Sequence, residues 1–447
     1  MNILLVNPWI YDFSAYDLWL KPLGLLYIAG ILKNLGLNIY FIDCMDRCNP
    51  EMKRHFYKRD KYGCGHYYSE EVMKPEVINF VPRKYKKYGI DKEIFINMLK
   101  SIPKPQIILV SSGMTYWYPG VIEVIKILKN YFVDTTVLLG GIYATLCYEH
   151  AKKFSGADYV FSGNNISNLI DIISELTKIN FGHKYIPTDF TEYPRPCYDL
   201  YNELEYVAIR TSVGCIFNCS YCASTKFNKI FIQKNPETVI DEIEYFYEKY
   251  GVRDFAFYDD ALLVNADGHI LKILDTIKRD GLKCFFHTPN GLHAKFINEK
   301  LAEILYESGF INPRLGFETI DEIVQQRTGN KVNTDELLTA IENLIKSGYK
   351  NIDIIVYIML GMPEQDLDDV EKTVEYLKKL NVRISLSEYS PIPFTDSWYK
   401  TGLRDDDDPL LHNKSVYHLY RYKDWQKIRE IKDDVFNYNK MNIQKYV

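Results

Sequence analysis

The chain has 447 residues, room for about three units at roughly 150 residues per domain. With 47% apolar and 25% charged residues it matches an ordinary globular protein, which excludes disordered, collagenous and coiled-coil classes. The 54 Lys and Arg against 59 Asp and Glu leave a net charge of −5, which argues against a dedicated nucleic-acid binder.

From the start, short apolar runs alternate with helical spacing: Ile3 to Val6, then Leu23 to Leu35, then Ile39 to Ile42. The first residues carry no basic n-region or small-residue cleavage site, so they read as a strand rather than a signal peptide, and a cytoplasmic location is expected. The alternation resumes with Ile107 to Val110, Val121 to Phe132, Val137 to Leu139, Ala144 to Phe154, Tyr159 to Phe161 and Ile166 to Leu176. This pattern predicts a parallel sheet covered on both faces, Rossmann-like or flavodoxin-like, over residues 1–180. Ligands of such sheets bind at the strand carboxyl ends, here Asn7-Pro8, Asp43-Cys44, Ser111-Ser112-Gly113 and Gly140-Gly141. The longest uncharged run, Pro105 to Ile122, is broken by Ser111, Ser112, Gly113, Pro119 and Gly120, so no transmembrane segment is expected.

An insertion at 44–100 interrupts the alternation. It holds thirteen Lys and Arg against eight Asp and Glu, peaking at Arg83 to Lys87. It reads as a solvated face or as a docking surface for an anionic substrate or acidic electron donor. A Pro-bearing linker follows at 181–205.

A second alternation fills 206–395, with strands expected at Tyr206 to Thr211, Asp254 to Tyr258, Lys283 to Thr288, Arg314 to Glu318, Ile352 to Met359 and Arg383 to Glu388. Six βα repeats predict a partial TIM-type (β/α)6 barrel with its chemistry at the strand carboxyl ends. Residues 396–447 form a small C-terminal extension, with a helix expected near Trp425 to Val435.

Nine cysteines, an odd number unevenly spread, disfavour a disulfide framework. Three of them, Cys215, Cys219 and Cys222, follow the first barrel strand within eight residues. Thiolates this close suit zinc or an iron-sulfur cluster. No further Cys or His follows within the next forty residues, which disfavours a closed four-ligand zinc site. Three cysteines on a four-iron cube leave one iron open for a substrate.

The C-x3-C-x2-C spacing with Tyr221 before the last cysteine resembles the signature of the radical S-adenosylmethionine (SAM) superfamily. Its place after the first of six strands strengthens the likeness, as do Asp254 to Asp260, Arg314-Leu-Gly-Phe-Glu318-Thr and Ile358-Met-Leu-Gly361-Met-Pro363-Glu364. The resemblance implies a 4Fe-4S cluster on Cys215, Cys219 and Cys222, with SAM chelated at the open iron and cleaved by one electron to a 5'-deoxyadenosyl radical that abstracts hydrogen. It also implies SAM contacts at Tyr221 (adenine), Asp259 and Asp260 (the methionine amino end), Glu318 (ribose or amino group) and Asn290. For each carboxylate the alternative is a helix N-cap or a surface charge. No catalytic residue is assigned. His287 and His293 read as structural histidines.

The first half resembles the cobalamin-binding-type domain that precedes the barrel in one large radical SAM class, through Asn7-Pro8, Ser111 to Thr115, Leu139 to Thr145 and Gly156 to Val160. That likeness implies a corrinoid whose nucleotide tail lies near Ser111, Ser112, Gly140 and Gly141. The D-x-H-x-x-G motif of many corrinoid proteins is absent; Asp267-Gly268-His269 supplies only half of it. Expected partners are a small-molecule, lipid-precursor or peptide substrate and a flavodoxin or ferredoxin as electron donor. Two other readings stay open: a radical SAM enzyme whose N-terminal domain binds substrate and no cobalamin, and a non-catalytic iron-sulfur redox protein. Cys44, Cys48 and Cys64, with His66, offer a second metal site or isolated thiols.

Overall fold

A computed structural model describes residues 1–52, 60–182 and 185–446; residues 53–59 of the basic insertion and 183–184 of the linker lie outside the described residues. The chain divides into two compact units, Met1–Glu205 with Arg404–Asn413, and Tyr206–Leu403 with Lys414–Val447.

The first unit is built on five parallel strands in the spatial order Tyr159–Val160, Thr136–Leu139, Ile107–Val110, Asn2–Asn7, Asn38–Asp43. Numbered along the chain, that order is the flavodoxin-like 2-1-3-4-5, whose switch point falls between Asn2–Asn7 and Ile107–Val110. Strand alternation feeds two cores. Leu4, Val6, Ile108, Val110, Val137 and Leu139 pack with Phe95, Val124 and Leu128 on one face. Ile3, Leu5, Ile107, Leu109 and Leu138 pack with Leu25, Leu32, Leu169 and Ile173 on the other. Burial on both faces explains why these strands read as continuous apolar runs rather than alternating ones.

The insertion contributes a small antiparallel sheet in which Lys86–Tyr88 lies between Ile10–Asp12 and Ser69–Glu71. Residues 404–413 belong to this unit. Asp408 accepts from the Tyr118 hydroxyl at 3.0 Å and Asn413 donates to Asp12 at 2.9 Å.

The second unit carries six parallel strands in chain order. Val207–Ile209, Asp254–Phe257 and Phe285–His287 form one sheet, and Arg314–Glu318, Ile355–Leu360 and Arg383–Glu388 another. Single parallel bridges at Phe286 with Phe310 and Leu292 with Leu315 carry the arc from one sheet to the other. Helices Pro236–Tyr250, Ile270–Arg279, Glu299–Glu307, Thr334–Lys346 and Leu367–Lys379 return the chain between strands. Capping boxes at Asn333 with Glu336 and at Asp366 with Asp369 fix two helix starts. The last helix runs Trp425–Tyr446, longer than its apolar pattern suggests. Its Asn439 bonds both the N–H and the C=O of Ile384, covering the backbone of the edge strand. Among the described residues no helix is long and apolar enough to cross a membrane.

Candidate functional site

Just past the carboxyl end of the second barrel strand, Asp259 is buried, and its oxygens collect four bonds from the residues that follow the first strand. They accept from the Thr211 N–H (3.1 Å to each oxygen), the Thr211 hydroxyl (2.7 Å) and the Ser212 hydroxyl (2.5 Å). Burial raises the Asp259 carboxyl while the Ser212 and Thr211 bonds pull it down, with the net shift upward. Asp259 thereby fixes the backbone that leads into the cysteine loop.

The loop itself is tied at several points. The Ser220 N–H donates to the Thr328 carbonyl at 3.2 Å, and the Ser397 N–H donates to the Ser220 carbonyl at 2.8 Å, with their hydroxyls also 2.8 Å apart. Phe217 stacks on His293 at 4.7 Å. Burial, then the Lys331 and Lys295 charges, push that imidazole down to about 3, so it is neutral.

Burial raises all three thiols. Against it act an N–H from Phe217 on Cys215 Sγ and one from Ser224 on Cys222 Sγ, both at 3.4 Å, together with the Lys331 charge and the Tyr221 hydroxyl on Cys219. Asp260 accepts from the Ser224 hydroxyl at 2.6 Å, close enough to Cys215 and Cys222 to raise both thiols. Asn290, exposed, donates to the Tyr258 and Asp259 carbonyls at 3.1 and 3.4 Å.

Glu318 ends the fourth strand at a register shift and is paired with Lys331 at 2.7 Å. The sequence reading missed Lys331, and no motif marks it. His287 is held by Asp254 at 2.7 Å, as a structural histidine would be.

In the first unit, Ser111, Ser112, Gly140 and Gly141 gather at the carboxyl edge of the sheet. Ser111 Oγ bonds Asn7 Oδ1 at 3.1 Å across the switch point, and Ser112 Oγ donates to the Gly140 carbonyl at 2.7 Å. Gly141, at φ +95°, comes so close to Ser112 that a Cβ would lie 2.4 Å from its carbonyl oxygen. Gly140 instead leaves room for a Cβ, which would meet only Phe161, at 3.9 Å.

The basic run in the insertion does not form one docking face. Lys84 pairs with Glu71 in solvent, whereas Lys87 is buried, 2.9 Å from Glu123 and 3.6 Å above the Trp9 ring, because its strand lies between two others. Cys44 is fully buried in an apolar core. Among the described residues no three His, Cys, Asp or Glu side chains form a ready single-ion site.

Residues 209–377, running from the end of the first barrel strand through the cysteine loop and the next four strands, match the family model of the Radical SAM superfamily. The barrel segment belongs to the Radical SAM superfamily. An uncharacterized methyltransferase of Pyrococcus horikoshii is 25% identical to this chain over 334 residues, 68% of this chain and 71% of that protein. The anaerobic magnesium-protoporphyrin IX monomethyl ester cyclase of Rubrivivax gelatinosus is 22% identical over 334 residues, 67% of this chain, and only 59% of the cyclase is spanned. Among solved structures, the radical SAM methyltransferase TsrM of Kitasatospora setae, with cobalamin and a 4Fe-4S cluster bound, matches at a TM-score of 0.65 and 15% identity over 90% of this chain and 77% of TsrM. TsrM has also been solved with its tryptophan substrate and a SAM analogue. The likeness to TsrM covers 90% of this chain, so the parallel sheet of the first unit and the barrel of the second share the fold of TsrM.

Proposed function

We propose that this chain is a radical SAM enzyme that carries a 4Fe-4S cluster on Cys215, Cys219 and Cys222, binds SAM beside it, and transfers a methyl group to a small-molecule acceptor with a corrinoid held by the first unit. The carrying observation is the cysteine loop: three thiols within eight residues, braced by Thr328 and Ser397, with N–H donors directed at two of the sulfurs. The donor set fits an iron-sulfur cluster, since hydrogen bonds to sulfur and a nearby cation stabilise thiolates that burial alone would keep protonated. When bound, the cluster and corrinoid supply the electron that splits SAM and the methyl carrier.

The chain's own residues hold and orient. Glu318, Asp260, Asn290 and Tyr221 are the candidates to meet SAM, and Asp259 acts one step behind them by fixing Thr211 and Ser212. Ser111 stands at the switch point and Gly140 at the next strand end, where a corrinoid tail would lie, and Gly140 leaves room for it. Ser112 and Gly141 shape that edge through their mutual contact. The curated methyltransferase relative and TsrM's tryptophan support methyl transfer to a small molecule.

Anaerobic reconstitution with iron, sulfide and hydroxocobalamin, followed by dithionite and SAM, tests the reading. Formation of 5'-deoxyadenosine or S-adenosylhomocysteine with corrinoid absorbance retained supports it. Turnover with no corrinoid retained assigns the first unit to substrate, and no SAM turnover at all leaves an iron-sulfur redox protein.

A further inference from the structure

Lys331 lies outside every motif, yet the fold sets its ammonium among the groups around the cysteine loop. Its Nζ is 2.7 Å from Glu318 Oε1 and 3.4 Å from the hydroxyl oxygen of Tyr221, which stands between Cys219 and Cys222 in the loop. The pair is largely removed from solvent, with side chains 17% and 14% exposed. Two positions before Lys331, the chain lies directly on the cysteine loop: a Cβ at Gly329 would come 3.0 Å from the Asn218 carbonyl oxygen and 3.0 Å from Cys219 Cα.

Three local features hold the ammonium in place. The Thr328 carbonyl fastens the segment before Lys331 to Ser220. Gly316 leaves the necessary room, because a Cβ there would lie 2.8 Å from Lys331 Nζ. Glu318 itself has a φ of +73°, at the register shift between Gly316 and Glu318. A glutamate in the left-handed region is costly and persists only where its surroundings enforce it. Here the conformation accompanies a carboxylate directed at Lys331.

We propose that Lys331 is a positioning residue that sets the reduction potential of the cluster, and that Glu318 partly masks its charge. Reduction transfers one electron from an external low-potential donor to the cluster and breaks no bond. A neighbouring positive charge favours the more negative, reduced state. Burial alone would lower the Lys331 ammonium, but the Glu318 carboxylate 2.7 Å away opposes it and the charge is retained. The inference rests on the cluster assignment above.

Potentiometric titration of the reconstituted protein, followed by the EPR signal of the reduced cluster, tests it with a readout independent of turnover. Lys331→Met should lower the ratio of reduced to oxidised cluster at a fixed potential by about tenfold, a shift of about 59 mV for one electron. Glu318→Gln should shift it in the opposite direction, and the double variant should return close to wild type. Equal potentials in all four proteins, or shifts of the same sign in both single variants, overturn the inference. So does loss of the cluster in the single variants but not in the double, which would make the pair a brace for the loop. A wild-type protein that takes up no cluster refutes the proposed function instead.

Discussion

Replacing Asp259 by Ala removes the acceptor for the Thr211 N–H and for the hydroxyls of Thr211 and Ser212. A buried donor left without a partner costs about 1–3 kcal/mol. Taking about 2 kcal/mol for the backbone amide and about 1 kcal/mol for each hydroxyl, which can turn elsewhere, gives about 4 kcal/mol. Burial already disfavours the ionised carboxylate, so relief of that cost reduces the expected loss to roughly 2–4 kcal/mol at neutral pH. Asp259→Asn keeps one acceptor oxygen and should lose about half as much.

The pH dependence has a definite sign. The folded carboxyl titrates above its unfolded value, so the folded state binds its proton more tightly. Its contribution is therefore fully present below about pH 4, the unfolded value, and declines as pH rises through the folded value. The stability gap between wild type and the non-titrating Asn variant should narrow over that rise. Urea denaturation of the metal-free protein across pH measures it, alongside SAM affinity. A loss under about 1 kcal/mol in Asp259→Ala, together with sharply weaker SAM binding, would refute the reasoning and make Asp259 a ligand rather than a support.

Glu318→Gln should weaken SAM binding by roughly ten- to a hundred-fold in calorimetry while the cluster stays loaded; an unchanged affinity with a lower Tm would assign the carboxylate to the scaffold. Gly140→Ala, whose Cβ would meet only Phe161 at 3.9 Å, should leave stability within about 0.5 kcal/mol but cut hydroxocobalamin retained in equilibrium dialysis several-fold, and unchanged retention would count against a corrinoid there. Lys87→Met should cost about 1–2 kcal/mol in urea by removing its bond to Glu123, which keeps the Tyr11 hydroxyl, and its contact with Trp9, whereas Lys84→Met should leave the denaturation curve in place. Equal effects of the two lysine variants would show that the run is one exposed face after all.

The barrel was legible because each strand is a short apolar run set off by helical spacing. Arg314–Glu318 and Arg383–Glu388 fall where the sequence reading put them. The cysteine loop was legible because all three of its thiols are local in sequence. What escaped depends on contacts between distant segments. Lys331 stands thirteen positions beyond Glu318, and its pairing follows from a bulge and a glycine contact that no periodicity reveals. Lys87 reads as one more charge in a basic run until the pairing of its strand on both sides buries it. Asp408, His412 and Asn413 look like part of a polar tail, yet they bond Tyr118, Thr115 and Asp12 nearly three hundred positions or more upstream.

The most direct test of the account is the iron and sulfide content, with the EPR spectrum after dithionite reduction, of anaerobically reconstituted wild type beside the variant carrying Cys215→Ala, Cys219→Ala and Cys222→Ala. The account predicts one 4Fe-4S cluster per wild-type chain and none in the triple variant. Retention of four irons and the reduced-cluster signal by the triple variant would contradict it.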